Sequence, residues 1–220
     1  MGSPVEQRLG ELATQDLLNI LASSAPSPGG GAAASLVGAM AAGLVSMVCN
    51  LTIGRPRYAS VEAAMRVILG EAEALRLELT RLAEDDVRAF TGVGAAYRLP
   101  RDTEAAREAR QNAIQLALRD ASLPPLASMV AARQVLPLSL KVAAHGNVNV
   151  VSDAGVAGEL AAAGVRASIV NVRANLTNLK DAEYVLESRR RIALAEESLA
   201  DDLNRLAAIV RAKLTPRTTA

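Results

Sequence analysis

Residues 27–54 read SPGGGAAASLVGAMAAGLVSMVCNLTIG, and how this stretch is housed decides the fold. No Asp, Glu, Lys or Arg lies between Asp16 and Arg55, and after Pro28 the run meets the length criterion for a membrane span. It is built of Ala, Gly and Ser rather than Leu, Ile and Phe, it begins at Pro-Gly-Gly-Gly, and no second run resembles it. The expectation is a helix over 31–53, buried on all sides in a helical bundle, with no membrane as partner.

Composition points the same way. Half of the 220 residues are apolar but only 2% are aromatic, so Ala, Leu, Val, Ile and Met must fill one sizeable core. Such side chains favour closely packed helices over a β-sandwich. The 24 Lys and Arg nearly balance 23 Asp and Glu and are scattered, so no basic stripe is present to track nucleic acid. Cys49, the single cysteine, is expected as a buried inert thiol, and one histidine without a Cys/His cluster argues against a metal site. Residues 1–8, MGSPVEQR, lack the basic and apolar regions of a signal peptide, which suggests the cytoplasm.

Outward from the uncharged run, residues 5–22 read as an amphipathic helix carrying Leu9, Leu12, Leu17 and Leu21. Pro26 and Pro28 make 23–30 a loop. On the other side, Val61, Met65, Ile68, Ala72, Leu75, Leu79 and Leu82 advance by fours and threes, one face of a long helix. A turn is expected near Gly92-Val93-Gly94 and Leu99-Pro100, then a helix over 102–120. Another opens at Pro124-Pro125 and reaches about Ala144 with a kink at Pro137. Ser152-Asp153 is placed to cap a short helix over 154–163, Gly164 separates it from one over 165–179, and the last spans 181–213. Val148-Asn149-Val150-Val151 is too short to count as a strand. The fold expected is all-α, a single-domain bundle of long antiparallel helices over 5–213 with a disordered tail at 214–220.

Several residues could carry chemistry. Pro28-Gly29-Gly30-Gly31 before a helix leaves N–H groups unpaired and unshielded at the positive end of the helix dipole, where a ligand can approach the backbone. The Gly-Lys-Ser/Thr ending of a P-loop is missing. Gly31, Ser35, Ala39 and Gly43 form a lane of small side chains behind it, suited to helix contact, with Ser35 nearest the glycines. Asp86 is the next step of the apolar stripe after Leu82, so its carboxyl is expected in the core or a cavity, where desolvation raises its pKa. That makes it a candidate general acid/base. Glu84 and Asp85 fall off the stripe. Asn171, Asn175 and Asn178 form a lane beside the stripe of Val165, Ile169, Val172 and Leu176. Two roles are open to them, bonding to a neighbouring helix or chain and recognition of the amide-like edge of a heterocycle. His145 near a helix end needs no catalytic role.

Taken in order and spacing, "SSAPSPGGGAAASLVGAMAAGLVSMVCNLTIGRPRY", "AEDDVRAF", "YRLPRDTEAAREARQNAIQLAL", "HGNVNVVSDAGVAGEL" and "AGVRASIVNVRANL" resemble the cyclodeaminase/cyclohydrolase family of folate enzymes. The resemblance covers about residues 10–210. It implies an all-helical homodimer acting on the one-carbon unit between N5 and N10 of tetrahydrofolate, with a folate derivative as substrate and no metal or redox cofactor. It assigns Asp86 to catalysis and Pro28, Gly29, Gly30 and Gly31 to the loop near the folate. Asn147 and Asp153 match the family's "GN…SD" turn, Asp153 as a proton-handling candidate and Asn147 as a substrate contact. Ser35, Asn171 and Asn175 complete the substrate-binding candidates. Hydrolysis of 5,10-methenyltetrahydrofolate to 10-formyltetrahydrofolate is the first activity implied. Ring closure of 5-formiminotetrahydrofolate with loss of ammonia is the alternative, and a non-catalytic helical binding protein the third reading.

Overall fold

The uncharged stretch forms α2 (Gly30–Asn50), and the bundle is built around it. The structure, a computed structural model, describes residues 9–215 and is all-α, with no strand among the described residues. In chain order α1 (Thr14–Leu21) precedes α2, and α3 (Glu62–Tyr97), α4 (Glu104–His145), α5 (Val151–Leu176), α6 (Ala182–Glu196) and α7 (Leu199–Leu214) follow it. Residues 5–8 of the first expected helix and 216–220 of the expected tail lie outside the described residues.

α2 packs against α3, α4 and α5, and its small side chains explain how all three reach it. A Cβ on Gly38 would stand 3.2 Å from both Leu79 methyls and 3.3 Å from the Ala132 Cβ. A Cβ on Gly164 would stand 3.3 Å from the Gly38 nitrogen and 3.4 Å from the Ala34 carbonyl. The four helices meet so closely at that level that a Cβ on either glycine would press on its neighbours. Burial is not complete, however: Met40 and Met47 are 56% and 41% exposed, because the fourth side of α2 has no neighbour. α2 and α4 are each long and apolar enough to cross a membrane, but 61% of each apolar window is buried inside the bundle. Cys49 sits in this core with no exposed surface, and burial pushes its thiol up to about 11.

The helix expected over 5–22 is, among the described residues, a 3-10 turn at Leu9–Glu11 followed by α1 from Thr14, so Leu9 and Leu12 lie before the helix. Four further boundaries differ. α3 runs through Gly92 and Gly94 to Tyr97; each glycine costs a helix about 1 kcal/mol, and packing of Val93 and Ala96 on Ile114 and Leu118 offsets it. The segments expected at 102–120 and 124–144 are one helix, α4, which passes through Pro124, Pro125 and Pro137. Pro125 offers no N–H to the Ala121 carbonyl one turn back, and Asn175 Nδ2 donates to that oxygen instead, at 2.7 Å. Gly164 does not divide α5, since it serves the contact with Gly38. The helix starts at Val151, so Asp153 lies in its first turn without capping it. Finally the last helix is broken at Ser198, whose φ of 57° offsets α7 from α6 while the chain keeps its direction along α4, from Arg119 beside Asp181 to the Ala144 carbonyl beside Lys213. The break lets α7 lay Leu206 where a Cβ on Gly158 would stand, while Arg133 pairs with Asp202 at 2.7 Å.

Candidate active site

Because α3 continues without a break past Leu82, Asp86 keeps its place on the inward stripe and its carboxyl reaches the first turn of α2. It rests directly on Gly31: a methyl group there would overlap both carboxyl oxygens. None of the three loop glycines has a positive φ, so the glycine at 31 is required by this contact and not by the backbone. Burial raises the Asp86 pKa above the usual aspartate range, and the Ala32 N–H facing the carboxyl offsets part of the effect. Asp86 has no ion-pair partner among the described residues. Its neighbour Asp85 is held at the surface between Arg81 and Arg88, so adjacent carboxyls serve different ends.

The other groups around this point come from three helices. A Cβ on Gly30 would stand 3.4 Å from Asn171 Oδ1, while Asn171 Nδ2 donates to the Ala167 carbonyl. The amide oxygen is thereby turned towards the glycine turn as an acceptor. Ser35 Oγ donates to the Gly31 carbonyl at 3.0 Å and lies 2.7 Å from Ser128 Oγ of α4, a buried pair that ties the turn down from below. Nothing in the sequence singled out Ser128; its spacing from Ala121 and Pro125 on α4 becomes meaningful once those prolines are known to lie inside a helix. Gly29 ends the loop in an extended conformation after Pro28 and has no side chain near it. Helix α2 therefore begins with first-turn N–H groups beside a desolvated carboxyl and an amide acceptor.

Not every candidate joins this cluster. Asn175 lies one turn beyond Asn171 and uses its amide on Ala121, so its role is in the packing of α4. Asn147 is buried at the opposite end of α2, donating to the Leu51 carbonyl and accepting from the Asn149 N–H, while its own N–H goes to Thr52 Oγ1. Asp153 opens α5 at that same end. At 1.5 Å per residue the 21 residues of α2 separate the two ends by about 30 Å within one chain. His145 is exposed on the last turn of α4, also away from Asp86. Among the described residues no group of three or more His, Cys, Asp or Glu could hold a metal ion.

Comparison with known proteins bears on this arrangement. A family model described as formiminotransferase-cyclodeaminase matches residues 13–194. The methenyltetrahydrofolate cyclohydrolase of Methylorubrum extorquens is 48% identical over 178 residues, which are 81% of this chain and 86% of that protein. The rat formimidoyltransferase-cyclodeaminase is 32% identical over 96% of this chain, and the match spans only 38% of the rat protein's length. A crystal structure of formiminotetrahydrofolate cyclodeaminase from Thermotoga maritima superposes with a TM-score of 0.83 at 29% identity, covering 94% of this chain and 99% of that one. The described site sits within the matched residues, and the chain belongs to the formiminotransferase-cyclodeaminase family.

Proposed function

We propose that this protein is a methenyltetrahydrofolate cyclohydrolase, and that Asp86 is its acid/base. The observation that carries the reading is the desolvated Asp86 carboxyl, without an ion-pair partner among the described residues, seated on Gly31 at the opening of α2. The high identity to the Methylorubrum cyclohydrolase, matched over most of both chains, supports the choice of reaction. Water bonds to the cationic methenyl carbon and gives one proton to Asp86. That proton passes to N5 as the N5–carbon bond breaks, while the remaining hydroxyl proton leaves for solvent as the formyl C=O forms on N10. A carboxyl with a raised pKa suits both halves, because it accepts a proton more readily than an ordinary aspartate and can return it. The negative charge of its ionised form also favours the cationic substrate. The Asn171 oxygen and the Gly30 and Gly31 N–H groups are placed to orient ring and water. The reaction asks for no metal or redox cofactor.

The resemblance to the Thermotoga cyclodeaminase favours a second reading in the same site, ring closure of 5-formiminotetrahydrofolate with release of ammonia. We further infer a cytoplasmic homodimer. The exposed Met40 and Met47 of α2, together with the exposed Val170 of the adjoining α5, support a self-associating face. The levels at which α2 meets α5, Gly30 with Asn171 and Gly38 with Gly164, support opposite running directions for the two helices.

The test is the decay of methenyltetrahydrofolate absorbance with purified protein and with Asp86→Asn. The expected loss in kcat is about 10²–10⁴-fold in a folded variant. Ammonia from the formimino substrate with no methenyl decay would move the assignment to the cyclodeaminase; inactivity on both would leave a binding protein.

A further inference from the structure

α2 begins at Gly30, yet α3 and α4 extend well past it, so the faces that hold Asp86 and Ser128 continue into an open end of the bundle. Residue 97 lies three helical turns after residue 86, on the same side of α3 and about 16 Å along its axis. Between them Phe90, the only phenylalanine of the chain, is 46% exposed. At the level of Tyr97 a cavity of about 440 Å³ opens, lined by Arg101, Arg107, Arg110 and Gln111 and floored by Ile114 and Leu118. Asn178, the last of the three spaced asparagines, closes its α5 side, held there by Gln115 Nε2 on its carbonyl at 3.0 Å.

The cations differ in how they are engaged. Arg107 is paired with Glu104 at 2.6 Å. Arg110 spends Nε and one Nη on the Tyr97 carbonyl and lies 5.6 Å from the Tyr97 ring centroid, with no carboxylate partner among the described residues. Arg101 has neither an ion pair nor a side-chain hydrogen bond among the described residues. A guanidinium fixed by the carbonyl of another helix and set against an aromatic ring is prepared for a planar anion rather than for water.

We propose that this cavity binds the terminal carboxylates of the substrate, with Arg101 and Arg110 as the anchoring cations and Phe90 beneath the aryl ring on the way. The inference rests on the folate reading above. A tetrahydrofolate carries its reacting carbon at one end and a benzoyl-glutamate at the other, and the track from Asp86 over Phe90 to the arginines presents acid/base, aromatic and cationic groups in that order.

The experiment compares 5,10-methenyltetrahydrofolate with the analogue that ends at the benzoate and lacks glutamate, using wild type, Arg101→Ala and Arg110→Ala. The expected result is a rise of about tenfold in KM for the glutamate-bearing substrate, with kcat held within about twofold and little change for the analogue. Arg101→Ala removes no side-chain hydrogen bond or ion pair among the described residues, so it keeps the test sound if Arg110→Ala fails to fold. An unchanged KM in Arg101→Ala would overturn the tail site while leaving the activity standing. Should the wild type turn over neither substrate, equilibrium dialysis with 10-formyltetrahydrofolate decides. Retention lost in Arg101→Ala supports the site and sinks only the hydrolase assignment; no retention, or retention independent of Arg101, overturns the site.

Discussion

At residue 31 a hydrogen atom stands where nearly every other amino acid has a carbon, and Asp86 uses that space. Gly31→Ala is therefore expected to drive the carboxyl off its seat and lower kcat by about 10²-fold or more with the fold retained, measured by methenyl absorbance decay and circular dichroism. Asp86→Asn should have a second effect. Burial raises the folded-state pKa, so as pH rises the unfolded chain releases its proton first and the folded protein loses stability through that interval. Thermal melts should show Asp86→Asn more stable than wild type at neutral pH, the gap closing below the ordinary aspartate pKa. Asp86 was legible in the sequence because steps of four and three need only a continuous helix. The sequence offered Asp153 as a helix cap, and only the resemblance gave Asn147 and Asp153 roles at the substrate; neither spacing nor motif tells which end of α2 a distant turn will reach. The role of Gly31 was half legible: three glycines announce a close approach to the backbone, but not that the chain's own carboxyl makes it.

Helix α4 shows why boundaries were harder to read than helices. Local rules stop a helix at Pro124-Pro125, because each proline removes a donor and crowds the preceding turn. The repair comes from Asn175, fifty residues on, whose amide replaces the missing donor at Ala121. Asn175→Ala should cost about 1–3 kcal/mol in urea denaturation, the price of an unsatisfied buried carbonyl. In a Pro125→Ala background, where the N–H is restored, the same change should cost clearly less. Gly164, Gly92 and Gly94 follow the same logic, since tertiary packing outweighs propensities of about 1 kcal/mol. Ser198 is the opposite case, a break that no proline or glycine announced.

Over the whole molecule, the class of fold was plain from composition alone: few aromatics, much alanine and one uncharged run leave helices packed at close range. What that reading missed is the open side of α2. If that side carries the proposed self-association, Met40→Glu combined with Val170→Glu is expected to turn the dimer into a monomer in sedimentation velocity while leaving the helical content unchanged, and a wild type that sediments as a monomer overturns the dimer proposal. A quieter feature reports on the bundle from within. With its thiol pushed up to about 11, Cys49 is a thiolate in only about one molecule in ten thousand at pH 7, and its surface is fully covered. Alkylation at neutral pH must then wait for the four central helices to part. The labelling rate of one sulfur becomes a clock for opening of the core, readable by mass spectrometry without any engineered probe.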